Sequence, residues 1–91
     1  MNLILQPVMV DTGEEGDGRL VFAEGWLVAV LVRLSDNHQH EAGHWFLEKG
    51  FGRLDHPDPP SFPDLGSAQQ WIREHLEIRR PPRWPGDQGY T

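Results

Sequence analysis

Apolar residues form short stretches over the first two thirds of the chain and recur at helical spacing once, towards its end. Short apolar stretches bounded by glycine, proline and acidic residues are typical of β-strands. The pattern predicts four strands, at residues 2–10, 20–23, 26–34 and 44–54.

The third predicted strand, residues 26–34, is apolar on both of its faces. Val28, Val30 and Val32 lie on one face, and Leu27 and its alternate neighbours lie on the other. A strand with one exposed face would alternate apolar with polar residues. We therefore expect this strand to be central, with both faces covered along much of its length.

The connections between the strands carry turn residues. Glu24-Gly25 resembles the Asp-Gly type of two-residue hairpin turn. Pro7 lacks a backbone N–H, which indicates an edge position or a bulge in the first strand. Gly50 and Gly52 indicate a bulge in the fourth strand. Residues 55–63 contain four prolines and are predicted to be an extended connection.

One helix is predicted, from Leu65 to about Ile78, with Asp64 as its N-cap. Helical spacing places one set of side chains in a single buried stripe: Leu65, Ala68, Trp71, Ile72, His75 and Leu76.

The predicted fold is a small α+β domain at residues 1–78, a four-stranded antiparallel meander with the C-terminal helix packed on one face. Residues 79–91, rich in proline, arginine and glycine, are predicted to be a disordered tail. One helix covers only one face of a sheet. The other face needs a second cover, and the candidates are the tail or a second copy of the chain.

Charge and composition exclude several classes of function. The net charge is −6, and residues 1–64 hold eleven acidic against four basic side chains. Such an acidic body repels a phosphate backbone, so we expect no nucleic-acid partner. The longest apolar run, residues 26–32, is too short to span a bilayer. With no cysteine and no signal-peptide pattern, a cytoplasmic location is expected.

The sequence His40-Glu41-Ala42-Gly43-His44 is the one motif with a known chemistry. It resembles the H-E-x-x-H motif of zincin-type metalloproteases, in which two histidines on one helical face hold zinc and the glutamate is the general base. Gly43 inside a helix costs about 1 kcal/mol relative to alanine. We therefore interpret this stretch as a turn between strands.

Adding the neighbouring His38 gives the spacing H-x-H-x-x-x-H. A zinc site formed by His38, His40 and His44, with metal-dependent hydrolysis, is the alternative hypothesis. The preferred interpretation has no cofactor and no catalytic residues.

Two further groups of residues are candidates for interaction. Trp26 and Trp45 lie in predicted strands, where aromatic residues serve either the core or an interface. The tail segment from Arg79 through Pro82 to Pro85 fits the R-x-x-P-x-x-P pattern of polyproline ligands, and it contains Trp84.

No phosphate-binding loop, dinucleotide fingerprint or nucleophile elbow is present in the sequence. The sequence thus favours a non-catalytic protein-interaction module. The expected partner is another protein or a second copy of the chain, bound through an apolar sheet face or the tail.

Overall fold

The computed structural model describes residues 2–12, 16–35 and 40–79. Its strands form one antiparallel sheet in the order in which they follow one another along the chain. They are β1 (Leu3–Met9), β2 (Asp17–Ala23), β3 (Trp26–Arg33), β4 (Trp45–Gly50) and β5 (Ser61–Phe62). A 3-10 turn (Gly52–Leu54) follows β4, and the helix α1 (Leu65–Arg79) follows β5.

The predicted meander with a C-terminal helix is confirmed, but the sheet has five strands instead of four. The additional strand, β5, lies in the proline-rich connection, where Phe62 pairs with Trp45 and Ser61 with Phe46. Two residues are too few to show any periodicity. Phe62 is held beside β4 because its ring is buried in the core.

The hairpin between β2 and β3 has the predicted two-residue turn. Glu24 and Gly25 both have positive φ, at 53° and 87°. Two positive φ values define the turn type whose twist matches that of the flanking strands. The turn sets the register that opposes Ala23 to Trp26.

A bulge in β3 shifts this register by one residue shortly after the turn. Val21 opposes Ala29 and Phe22 opposes Leu27, so Val28 has no opposing residue on β2. The extra residue allows Val28 and Ala29 both to be buried.

A second bulge lies in β4, as predicted. Val30 opposes Lys49 and Leu31 opposes Leu47, which leaves Glu48 as the extra residue. Beyond the bulge, Gly50 lies so close to the backbone of Leu54 that a Cβ atom at this position would overlap the Leu54 carbonyl. The 3-10 turn therefore folds tightly back onto the end of β4.

Strand β1 forms one edge of the sheet, as Pro7 indicated. The Glu24 N–H donates to the Asn2 carbonyl (3.4 Å) and the Val10 N–H donates to the Gly16 carbonyl (2.7 Å). These bonds show that even-numbered residues of β1 bond to β2. Odd-numbered residues, Pro7 among them, direct their backbone groups away from β2.

The helix α1 has the predicted cap and the predicted buried stripe. The Ser67 N–H donates to Asp64 Oδ1 at 2.7 Å. Ala68, Ile72 and Leu76 are fully buried, and α1 extends to Arg79, one residue beyond its predicted end. No helix in the described part of the chain is long and apolar enough to cross a membrane.

The hydrophobic core lies between α1 and one face of the sheet. The central strand contributes Ala29 and Leu31, β4 contributes Leu47, and the 3-10 turn contributes Leu54. Leu54 of the 3-10 turn and Phe62 of β5 thus add core residues from the segment that joins β4 to α1.

The cap at Asp64 makes the stability of the domain depend on pH. The backbone N–H of Ser67, and then its hydroxyl, hold the pKa of the Asp64 carboxyl below its ordinary value of 3.8. The stabilisation is fully present above 3.8 and is lost as the pH falls through the lowered pKa. In thermal unfolding, the Tm advantage of wild type over Asp64→Asn should be larger at pH 6 than at about pH 2. Asp11→Asn, an exposed change that removes no helix cap, is the control; an advantage independent of pH would contradict the assignment.

The contact at Gly50 predicts a steric cost. In Gly50→Ala the new methyl group meets the Leu54 carbonyl, and we expect a loss of about 1–3 kcal/mol in urea unfolding. Gly52→Asn is the matched control, because open space surrounds Gly52 and asparagine tolerates its positive φ of 57°. Equal losses in the two variants would show that the close approach of Leu54 is unimportant.

Candidate functional site

The H-E-x-x-H segment lies in a turn between β3 and β4, as the sequence predicted. Leu34 and His44 close the turn: the Leu34 N–H donates to the His44 carbonyl (2.8 Å), and the Gly43 N–H donates to the Leu34 carbonyl (2.9 Å). Gly43 has a φ of 83°, which a helix interior does not allow. The one-turn helical spacing that brings two zincin histidines to a common metal is therefore absent.

The three histidines of the metal hypothesis have different surroundings. His40 is exposed. His44 is half-buried, and its Nδ1 atom is shielded from solvent without a hydrogen-bond partner among the described residues. His38 lies outside the described residues. Within the described ranges no group of three histidine, aspartate or glutamate side chains is placed to hold a metal ion, and a site that includes His38 remains a prediction.

Glu41, the third polar residue of the motif, lines a cleft instead. Its Oε2 atom accepts a hydrogen bond from the Ser61 hydroxyl at 3.3 Å. The cleft has a volume of about 280 Å³, with Val32 and Phe46 as apolar walls and charged groups around them. The charged residues of the cleft are Arg33, Glu41 and Glu48. Such a mixed lining suits the side chains of a protein partner.

Phe46 also belongs to the sheet face opposite α1, which we call the open face. Cross-strand pairs define it: Ile4 opposes Phe22, and Leu20 opposes Val30. These residues alternate with the core residues of the same strands and so point away from the helix. We use the name for its apolar residues, Ile4, Leu20, Phe22, Val30 and Phe46; the register also places Gln6, opposite Leu20, and Lys49, opposite Val30, on this face. Ile4 is 57% exposed and the other four apolar residues are half-buried.

The structure gives the two strand tryptophans different positions. Trp45 is 8% exposed and belongs to the core, with the Arg19 guanidinium 4.9 Å from its ring centre. Asp17 in turn pairs with Arg19 at 2.8 Å. Trp45 thus offers little surface to a partner, whereas Trp26 is 53% exposed.

The helix tryptophan, Trp71, is the centre of an aromatic cluster at the edge of the core. His75 stacks on its indole at 3.9 Å between ring centres, and Phe62 lies at 5.6 Å. His56 approaches from the proline-rich connection at 6.2 Å. This cluster joins α1 to the connection and explains why the predicted stripe includes a histidine.

A second concave surface, which we call the end groove, lies beside the C-terminal part of α1. Its volume is about 170 Å³, and its lining is mainly apolar. The residues that line it are Trp26, Leu27, Val28, Phe51, Gly52, Arg53 and Leu76. The sequence pattern assigned Leu27 and Phe51 to strands and did not indicate a groove, because the β3 bulge and the 3-10 turn create it.

Of the predicted tail residues, Arg79 is the last residue of α1, and Pro82 and Trp84 lie outside the described residues. Comparison with protein-family models, curated proteins and solved structures gives no match for this chain.

The positions of Trp45 and Trp26 predict different effects of the same substitution. Trp45→Phe removes buried area and leaves a cavity, for an expected loss of about 1–2 kcal/mol in urea unfolding. Trp26→Phe should cost about 0.5 kcal/mol or less, because half of the side chain already contacts solvent. A larger loss at Trp26 than at Trp45 would contradict these positions.

Proposed function

We propose that this protein is a protein-interaction module that self-associates by stacking the open faces of two sheets. The exposure of Ile4, which opposes the half-buried Phe22 on the open face, supports this proposal most directly. Exposed apolar patches of this kind mark interaction surfaces. A two-fold axis would bring the same residues of two copies together, with the sheets about 10 Å apart.

The composition of the surface agrees with this arrangement. The open face is mainly apolar, and charged groups lie around it: Lys49 opposes Val30, and Arg33, Glu41 and Glu48 line the cleft. An apolar centre with a polar rim is the usual anatomy of a protein interface.

The sheet edges are poorer candidates for association than the open face. On β1, Pro7 removes one of the N–H groups that point away from β2, which interrupts any added strand. On the other edge, β5 is two residues long. Face-to-face packing avoids both restrictions.

The size of the open face sets the expected affinity. Four strands about 4.8 Å apart and about seven residues long at 3.3 Å each give a face of roughly 19 by 23 Å, about 440 Å² per copy. Two copies would bury on the order of 900 Å², below the range of stable complexes. The proposed dimer is therefore weak and forms at high micromolar concentrations.

Sedimentation equilibrium of the full chain from about 10 µM to 1 mM tests the proposal. We expect a reversible monomer–dimer equilibrium that Ile4→Glu weakens at least tenfold, about 1.4 kcal/mol. The substitution places a charge in the apolar interface, where it has no partner.

The matched control is Met9→Glu on the same strand. Met9 is 76% exposed, but its odd-numbered position places it on the opposite face of the sheet from Ile4. It should leave the dimer constant unchanged. A monomer at 1 mM, or equal weakening by both variants, would refute association through the open face.

A further inference from the structure

Most of the exposed apolar surface outside β1 lies in the end groove. Five large apolar side chains are exposed among the described residues, and three of them line this groove. Trp26 is 53% exposed, Phe51 40% and Leu27 38%. The groove adjoins the open face, because Leu27 opposes Phe22, but its walls Trp26 and Phe51 are not open-face residues, and filling the groove does not require self-association.

The volume of the groove limits the size of the group that it can bind. A volume of about 170 Å³ is below the roughly 300 Å³ at which pockets for whole small molecules begin. It suits a single large side chain. The rings of Trp26 and Phe51 form its walls, and Lys49 lies over the outer side of the Phe51 ring, with its Nζ atom 5.5 Å from the ring centre. Aromatic walls of this kind receive proline-rich segments with an aromatic or proline anchor.

The described chain ends beside this groove. Leu76 lines the groove, and Arg79, three residues later, is the last residue of α1. The two prolines at positions 81 and 82 cannot continue a helix and disfavour helical backbone at the preceding residue. The sequence therefore predicts that the helix does not continue past these prolines.

The segment that follows contains a suitable anchor. Residues 80–91 lie outside the described residues, and their sequence has one tryptophan, Trp84, between Arg83 and Pro85. Trp84 is five residues beyond Arg79, which allows a reach of roughly 17 Å at 3.3 Å per residue. One helical turn back from Arg79 to Leu76 is about 5 Å. The tether thus has enough length to turn back and place its indole in the groove.

We propose that residues 80–91 of the same chain occupy the end groove, with Trp84 as the anchor against Trp26 and Phe51. A segment tethered this close has a millimolar effective concentration at the groove, which favours it over the same segment from a second copy or another protein. The tail would then cover the apolar end of the sheet and compete with any proline-rich ligand that uses the same surface.

Paramagnetic relaxation in the full chain tests this proposal. The chain has no cysteine, so Gln88→Cys provides a single site for a nitroxide label. In ¹⁵N-labelled protein we expect the indole N–H of Trp26 and the amide of Gly52 to lose more than half of their intensity. Gly16, at the opposite end of β2, serves as the internal reference and should keep its intensity. Adding Trp84→Ala should restore both groove signals, whereas Tyr90→Ala, the matched aromatic control in the same segment, should not.

A mixed sample separates the two sources of the segment. Nitroxide-labelled ¹⁴N protein is combined with unlabelled ¹⁵N protein, so that any loss of intensity comes from a second copy. We expect no loss in this sample. Broadening at the groove in the mixture, no broadening at the groove in the labelled ¹⁵N protein, or broadening that Trp84→Ala leaves unchanged would each overturn the proposal.

Discussion

The central strand of this protein is apolar on both faces, and the helix α1 can cover only one of them. On the covered face, Leu31 packs in a core with Ile72 and Leu76 of α1. On the other face, Val30 continues an apolar surface that ends at the exposed Ile4. This imbalance between apolar area and the cover that the described residues supply is the physical reason for the proposed self-association.

Two bulges decide how that apolar area is distributed. The extra residue Val28 lets β3 bury two successive side chains, Val28 and Ala29. The residues of β3 before the bulge, Trp26 among them, lie at the end of the sheet. The second bulge, at Glu48, precedes Gly50, whose missing side chain lets the Leu54 backbone close over the end of β4. The two bulges therefore shape both the hydrophobic core and the end groove.

Much of this architecture could be predicted from local residue patterns, whereas the candidate surfaces could not. The Glu24-Gly25 turn, the edge position of Pro7, and the helix from its cap at Asp64 follow from backbone preferences that act over a few residues. The fifth strand was missed, because Phe62 is placed by a long-range contact and not by local pattern. For the same reason Trp45 and Trp26, equivalent in sequence pattern, differ in burial.

The histidine motif shows the same division. Gly43 argued for a turn because glycine is unfavourable inside a helix, and the structure contains the turn, with Gly43 at a positive φ that glycine adopts readily. That Glu41 of this turn lines a cleft with Phe46 depends on the register of β3 and β4, which bulges set. The sequence was sufficient for four of the five strands, the helix and their order, because hydrophobic period and turn chemistry are local. Only the packed structure showed which apolar side chains stay exposed, because burial depends on residues distant in sequence.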